Sequence, residues 1–199
     1  SSPAVREAAL PAFVATFPDA KCFDESHHAQ GVADACGLPL TKIEMTDDRI
    51  QEAANRLGAA YDEPFADASA LPTLALTKEV AQHCTVALSG DGGDELFGGY
   101  RRHSVLKLRA ALPSPLKFLG GFLGGRLRQA LRSRTDHEAW AALVRMHPGL
   151  DVMDDPVGDV GGLAGALRRD TRLALPGDLL VKMDRAAMDS ALEVRTPFL

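Results

Sequence analysis

The run Val86-Ala-Leu-Ser-Gly-Asp-Gly-Gly-Asp-Glu-Leu-Phe-Gly-Gly-Tyr100 concentrates the groups best suited to chemistry. A short strand pattern ends in Ser89, and glycines follow at 90, 92 and 93. Glycine allows positive φ and lets another group come close to the backbone. In open α/β sheets, ligands sit at the carboxyl ends of the strands. Ser89 and Gly90 therefore stand where a nucleotide can touch main chain. Asp91, Asp94 and Glu95 come next. On a helix, Asp91 shares a face with Asp94 and with Glu95. Carboxylates beside a phosphate site commonly hold Mg2+, which takes oxygen ligands and bridges to phosphates. A plainer reading stands beside this one: Asp91 can be an N-cap, and Asp94 and Glu95 can oppose the helix dipole. The glycine spacing is neither a Walker loop nor a dinucleotide fingerprint, because Glu95 stands where the fingerprint needs its last glycine.

The elements around this run alternate. Ala12 to Phe17 reads as a buried strand. Asp24 or Ser26 can cap a helix through Ala35, which Gly37 stops. Leu38 to Met45 contains a second strand, and Thr46 and Asp47 cap a helix running to about Gly58. The turn-rich stretch 61–69 leads to a helix from Ala70 to Gln82, and Thr85 to Leu88 is a third strand. Strands separated by helices imply crossovers and a parallel sheet. After Tyr100 the pattern changes to short helices with loops. Residues 101–145 hold ten Lys or Arg against only Asp136 and Glu138. Pro176 to Arg195 reads as one helix with a stripe of Leu179, Leu180, Met183, Ala187 and Ala191. That face is expected to pack on the α/β part, for several kcal/mol at about 25 cal/mol per Å2.

Composition narrows the class. A chain of 199 residues with 46% apolar and 25% charged residues can build one cored α/β domain with a helical appendage. A net charge of -5 gives no global case for nucleic acid or membrane binding. No apolar run approaches the roughly 20 residues that span a bilayer, and no signal-peptide pattern opens the chain. Cys22, Cys36 and Cys84 lack metal or redox spacing and read as buried reduced thiols, so a cytoplasmic setting is expected. The chain opens on Ser-Ser-Pro and closes on Thr196-Pro-Phe-Leu199. Natural C-termini are usually polar and exposed, so both ends are expected to be cuts in a longer protein.

The motif Ser89-Gly-Asp-Gly-Gly-Asp-Glu-Leu-Phe-Gly-Gly-Tyr100 resembles that of the asparagine synthetases. Pro176-Gly-Asp-Leu-Leu-Val-Lys-Met-Asp-Arg-Ala-Ala-Met-Asp-Ser-Ala-Leu-Glu-Val-Arg-Thr-Pro-Phe-Leu199 is similar to the same family's later signature. Asp24-Glu25-Ser26 and Asp62-Glu63-Pro64 with Asp67 and Ser69 match in order. The stretch 101–175 matches poorly and contributes nothing to the resemblance. The resemblance implies an α/β doubly wound parallel sheet of the ATP-pyrophosphatase (adenine nucleotide alpha hydrolase-like) type with additional helices. It implies that residues 1–100 form a partial nucleotide-binding core, with 101–199 a helical region of the same synthetase domain. It further implies ATP and Mg2+ as cofactors and a carboxylate substrate, with aspartate the expected identity, joined to AMP with release of pyrophosphate. Ammonia from a separate glutaminase domain then displaces AMP. By position, Ser89 and Gly90 contact the adenylate, Ala15 lines the adenine pocket through main chain, Asp94 is a Mg2+ ligand, and Asp91 and Glu95 face the substrate side. The family's Ser-Gly-Gly-x-Asp-Ser loop, a lysine beyond Pro-Phe-Leu and the glutaminase domain all lie outside this sequence. The chain alone is therefore expected to be inactive. A vacated strand position is expected to favour a homodimer or a shifted N-terminus. A different-class alternative is a nucleotide-binding or scaffold module that has lost catalysis; retention of Asp94 favours the enzyme.

Other polar residues have plainer expectations. His27 and His28 are adjacent and so point to different faces of a helix, which argues against metal ligation. Asp62, Glu63 and Asp67 can be turn formers or substrate-side groups. Lys182, Asp184, Arg185, Glu193 and Arg195 are expected to form ion pairs that fix the last helix. The basic run reads as a solvated helical surface rather than a grip on tRNA, since only Phe118, Phe122 and Trp140 accompany it.

Overall fold

Strand β1, Ala12–Thr16, and strand β2, Leu40–Glu44, pair in parallel with Ala12 opposite Leu40 and Thr16 opposite Glu44. Parallel neighbours need a crossover, and helix α1, Ser26–Cys36, supplies it. The computed structural model describes residues 10–21, 23–113, 125–144, 158 and 160–199. Asp24 fixes the start of α1: its carboxylate accepts from the Ser26 amide at 2.8 Å and the Phe17 amide at 3.2 Å. Helix α2, Asp47–Ala60, begins at Thr46, whose side chain accepts from the Arg49 amide at 3.4 Å. Asp47 and Asp48 add favourable charge to its first turn. Helix α3 covers Ala70–Val80. Strand β3, Val86–Leu88, pairs in parallel with β4, Glu193–Arg195.

The chain divides into two units: Ser1–Ser89 with Val181–Arg195, and Gly90–Leu180 with Thr196–Leu199. The first is mixed α/β. Its described strands form two parallel pairs, β1–β2 and β3–β4. Its core gathers Ile43, Met45, Ala53, Leu74, Val80 and Leu192, with Ala186 and Ala187 buried among them.

The second unit is helical. It contains the single turn α4, Gly93–Phe97, then α5, Arg101–Ala111, α6, Gly125–Arg132, α7, Asp136–Val144, and α8, Gly162–Arg169. A π-helical stretch, Asp170–Leu179, continues α8 into α9, Leu180–Asp189. Pro176 lies inside that stretch. Proline offers no N–H and its ring crowds an ordinary helical turn. The wider winding accommodates it, and the Leu180 amide donates to the Leu175 carbonyl five residues back. The core is built from Leu106, Trp140 and a set of alanines at 130, 139, 141, 142 and 166, small enough for close helix approach. Thr135 and Glu138 form a reciprocal cap on α7: the Glu138 amide donates to Thr135 Oγ1 at 3.1 Å, and Glu138 Oε2 accepts from the Thr135 amide at 3.4 Å. Buried Arg109 joins α5 to the α6–α7 corner. It donates to the carbonyls of Ala130 at 3.1 Å and Ser133 at 2.8 Å and pairs with Asp136.

Three expectations are corrected. The expected helix Pro176 to Arg195 is a π-helical stretch, a helix ending at Asp189 and a strand. Ala191 adopts φ 54°, the Leu192 amide donates to the Ala187 carbonyl at 2.9 Å, and the Ala191 amide donates to Met188 at 3.1 Å. This is a Schellman stop, usually glycine at the left-handed position. It turns Ala191 outward and buries Leu192. Of the expected stripe, Ala187 is buried, while Leu179, Leu180 and Met183 are half-buried. Cys36 is exposed and Cys84 half-buried rather than both buried, and Cys22 lies outside the described residues. The His27 and His28 rings do not diverge. Both are exposed, and they lean together with centroids 3.7 Å apart.

A left-handed backbone costs an alanine about 1 kcal/mol or more that glycine avoids. Ala191→Gly is therefore expected to stabilise the chain by about 0.5 kcal/mol after glycine's larger unfolded-state entropy is subtracted. A shift of the urea midpoint upward, with an unchanged slope, is the measurement.

Candidate active site

The strand β3 hands over to the carboxylate-bearing turn at Ser89. The Ser89 amide donates to the Arg195 carbonyl at 2.9 Å, which prolongs the β3–β4 ladder by one residue. Ala15 sits in β1 opposite Ile43 and packs on the core of the same unit. Ser89 and Ala15 thus belong to the first unit, and Gly90, Asp91, Asp94 and Glu95 to the second.

Within the second unit, the Gly90 carbonyl accepts from the Gly93 amide at 3.1 Å and starts a tight turn. Helix α4 follows, capped by Gly92 at φ 88° and Gly98 at φ 76°. Both caps are left-handed, a conformation that favours glycine. At Gly92 a Cβ would also come within 2.7 Å of Leu199 Cδ2. The Asp94 carbonyl accepts from the amides of Gly98 at 2.8 Å and Gly99 at 3.2 Å. A Cβ on Gly99 would fall on Asp94 Oδ1, so residue 99 must lack a side chain for Asp94 to keep its rotamer. Phe97 meets Phe198 edge to face, with centroids 5.7 Å apart. The two distant motif segments, 90–100 and 196–199, therefore come together here.

The three carboxylates separate by burial. Asp94 is exposed, Asp91 half-buried, and Glu95 only 1% exposed. Glu95 Oε1 accepts from the Tyr100 hydroxyl at 2.5 Å. Burial, reinforced by the Glu95 carboxylate, pushes the Tyr100 phenol well above its ordinary pKa, with Arg102 opposing. Tyr100 is thus a stable neutral donor. Arg102 lies over the Tyr100 ring, 3.7 Å from its centroid.

Sequence reasoning missed a polar cluster close by in the same unit. Asp170 has 0% exposure. It accepts from Trp140 Nε1 at 2.7 Å and Arg102 Nε at 3.2 Å, and it pairs with His103 Nε2 at 2.5 Å. The partners are separated by up to 68 positions, and Asp170 sits among Arg168, Arg169 and Arg172, where an acid reads as surface. The one available signal was a tryptophan within the apolar helical pattern 139–144. A cavity of about 740 Å3 in this unit is lined by Arg128, Arg132, Arg134 and His137, among others, and shares no residue with the turn.

In the first unit, two of the expected ion pairs hold α9, through Lys182 and Arg185, whereas the Glu193–Arg195 pair lies within β4. Lys182 Nζ reaches Asp67 Oδ2 at 2.6 Å and Ser69 Oγ at 2.7 Å. Arg185 pairs with Asp62 at 2.7 Å, and Arg195 with Glu193 at 2.7 Å. The Tyr61 hydroxyl donates to the Lys182 carbonyl at 3.0 Å. Asp67 also organises its own turn, accepting from the Ser69 amide at 2.9 Å.

No group of three or more His, Cys, Asp or Glu side chains placed to hold a metal occurs among the described residues. Mg2+ asks for less. It keeps several waters and takes one or two protein carboxylates together with substrate phosphates. Asp91 and Asp94 are hard oxygen donors on one short turn, and that donor set suits it. No helix among the described residues is long and apolar enough to cross a membrane.

A family model described as asparagine synthase matches residues 2–199. An asparagine synthetase (glutamine-hydrolyzing) of Bacillus subtilis (strain 168) is 27% identical over 210 residues, covering 89% of this chain and 33% of that protein. A protein of Mycobacterium tuberculosis (strain ATCC 25618 / H37Rv) named as an asparagine synthetase (glutamine-hydrolyzing) is 30% identical over 207 residues, covering 89% of this chain and 32% of that protein. The chain thus spans about a third of the length of these curated relatives.

The Lys182–Asp67 pair gives a pH-dependent expectation. Burial alone would raise the Asp67 carboxyl, but the Lys182 ammonium and the Ser69 hydroxyl and amide outweigh it and hold the pKa below its ordinary 3.8. A depressed carboxyl contributes stability above the unfolded value and loses it as pH falls through the folded one. Lys182→Met leaves Asp67 without its cation and is expected to cost about 1–3 kcal/mol at neutral pH. The gap between wild type and variant, followed by urea unfolding, is expected to close below pH 3.8.

Proposed function

Because this chain belongs to the asparagine synthase family, we propose that it is part of the synthetase domain of an ATP-dependent, amide-forming ligase. The two units are proposed to be parts of that one domain, with the nucleotide-binding portion a doubly wound α/β fold of the ATP-pyrophosphatase type. The observation that carries the reading is the turn after β3. A glycine-capped helical turn leaves Asp94 exposed and Asp91 half-buried, directly after a strand end. This is the position where α/β sheets bind ligands.

In this reading, the main chain at Ser89 and Gly90 contacts the adenylate, and Ala15 lines the adenine pocket through its backbone. Asp94 holds Mg2+, with Asp91 beside it on the substrate side. Mg2+ supplies charge neutralisation on the phosphate oxygens. Glu95, buried and held by Tyr100, is assigned to the substrate side. The substrate is a carboxylate, with aspartate as the proposed identity. One of its oxygens attacks the α-phosphorus, the bond to the β-phosphate bridging oxygen breaks, and pyrophosphate leaves. Ammonia, proposed to come from a glutamine-hydrolysing domain of the parent protein, attacks the acyl carbon. AMP leaves with the C–O bonding pair, and the amide nitrogen loses a proton. Acyl adenylates react readily with water, so the completed site must exclude it. A cytoplasmic setting is proposed for this chemistry.

The test is aspartate-dependent ATP–pyrophosphate exchange by the full-length parent. Asp94→Asn is expected to lower exchange by about 100-fold, comparable with losing one preorganised charge-stabilising group. Gly99→Ala is expected to act in the same direction without altering any carboxylate, because its Cβ displaces Asp94 Oδ1. Exchange near the wild-type rate in Asp94→Asn would remove the assignment of that residue. Exchange that ignores aspartate would remove the substrate.

A further inference from the structure

The carboxylate turn cannot hold itself. Helix α4 is one turn, Gly93–Phe97, and isolated helices of that length are unstable. Both of its caps are glycines, which lose the most backbone freedom on ordering. Its one buried side chain is Glu95, and a buried carboxylate needs a donor. Tyr100 supplies it at 2.5 Å.

Tyr100 is in turn gripped. The Arg102 guanidinium covers its ring at 3.7 Å, and the His103 ring stands 5.5 Å from it. Both of those side chains end on buried Asp170: Arg102 through Nε at 3.2 Å and Nη2 at 3.2 Å, His103 through Nε2 at 2.5 Å. The other edge of His103 faces the turn. A Cβ at Gly98 would lie 3.8 Å from its Nδ1. Asp170 opens the π-helical stretch, a kind of winding often found near functional sites.

We infer that Tyr100 is a positioning residue of the carboxylate turn: gripped by Arg102 and His103 on Asp170, its hydroxyl pins Glu95 and thereby fixes Asp91 and Asp94. The metal and substrate roles of those two aspartates rest on the function proposed above. Tyr100 itself needs to touch neither ligand. Its removal leaves Glu95 buried without its donor, so the carboxylate swings toward water and takes the turn with it.

The experiment uses the full-length parent with Tyr100→Phe, which keeps the ring, and Arg102→Gln, which loosens the grip on it. Hydrogen exchange followed by mass spectrometry reads the turn directly. Faster exchange in the peptide covering 90–99, with the β1–β2 peptides unchanged, is expected in both variants. Mg2+ titration of ATP–pyrophosphate exchange gives the second readout. Tyr100→Phe is expected to raise the half-saturating Mg2+ concentration by about 10-fold, the worth of one hydrogen bond to a charged group. Its rate at saturating Mg2+ should approach that of wild type. Mn2+ binding in the presence of ATP, followed by electron paramagnetic resonance, should weaken in step. A loss of rate at every Mg2+ concentration with unchanged half-saturation would overturn the inference, as would unchanged exchange in 90–99. If the wild-type parent shows no aspartate-dependent exchange, the ligase reading fails, and the hydrogen-exchange arm still decides the role of Tyr100. Should Tyr100→Phe fail to fold, Arg102→Gln carries the same arms with smaller shifts in the same direction.

Discussion

A carboxylate with no exposure to water sets the terms for the second unit. Removing Asp170 from solvent costs several kcal/mol unless donors replace the lost hydration. The donors come from α5, through Arg102 and His103, and from α7, through Trp140. Each must reach one point on the π-helical stretch, so these helices can settle in few arrangements. The alanine-rich core around Trp140 then permits the close approach that the hydrogen bonds require. Small side chains alone would allow sliding; the buried acid fixes which arrangement is kept. Its influence reaches the carboxylate turn because Arg102 and His103 follow Tyr100 by two and three positions and both meet its ring.

The first unit solves a comparable problem with a half-buried pair. The 61–69 segment has little regular structure, yet it must lie against a helix more than a hundred residues later. Lys182 meets Asp67 and Ser69 there, and Tyr61 adds a bond to the Lys182 main chain. Thr77, buried on α3, donates to the Ala186 carbonyl at 3.0 Å. These bonds hold the segment Val181–Asp189 while the Schellman stop delivers the chain to β4. The parallel pairing of β3 with β4 thus depends on where a helix ends.

Several elements were legible in the sequence because local chemistry determines them. The apolar run 12–17, the Thr46 cap and the glycine after Cys36 each mark a boundary without tertiary help. The end of α9 was not legible. Helical spacing continues through Ala191, and an alanine gives no sign of a left-handed turn. The strand Glu193–Arg195 forms because β3 lies beside it, which no local pattern reveals. In the candidate site, sequence identified the three carboxylates at 91, 94 and 95 but not their inequality. Glu95 is buried because Tyr100 accompanies it, five positions on and across a glycine turn. The Asp170 cluster was hidden for a related reason: its donors lie 30 and more residues from the acid, and charged neighbours disguise it.

That inequality of carboxylates has an electrostatic consequence. Three carboxylates within five residues crowd one another, and a one-turn helix has little with which to resist. Placing Glu95 against a neutral phenol gives it a hydrogen bond without adding a cation that would compensate Asp91 and Asp94. Burial and the adjacent carboxylate keep that phenol protonated. Arg102, which lies over the Tyr100 ring, is directed to Asp170. Asp94 remains exposed and Asp91 partly so. Asp94 is therefore open to solvent, while the restraint that orders the turn is placed out of it. Replacing Tyr100 by a lysine or arginine would hold Glu95 through a stronger bond, but the added charge would oppose the Mg2+ proposed for the turn. A neutral donor such as the Tyr100 hydroxyl satisfies both requirements.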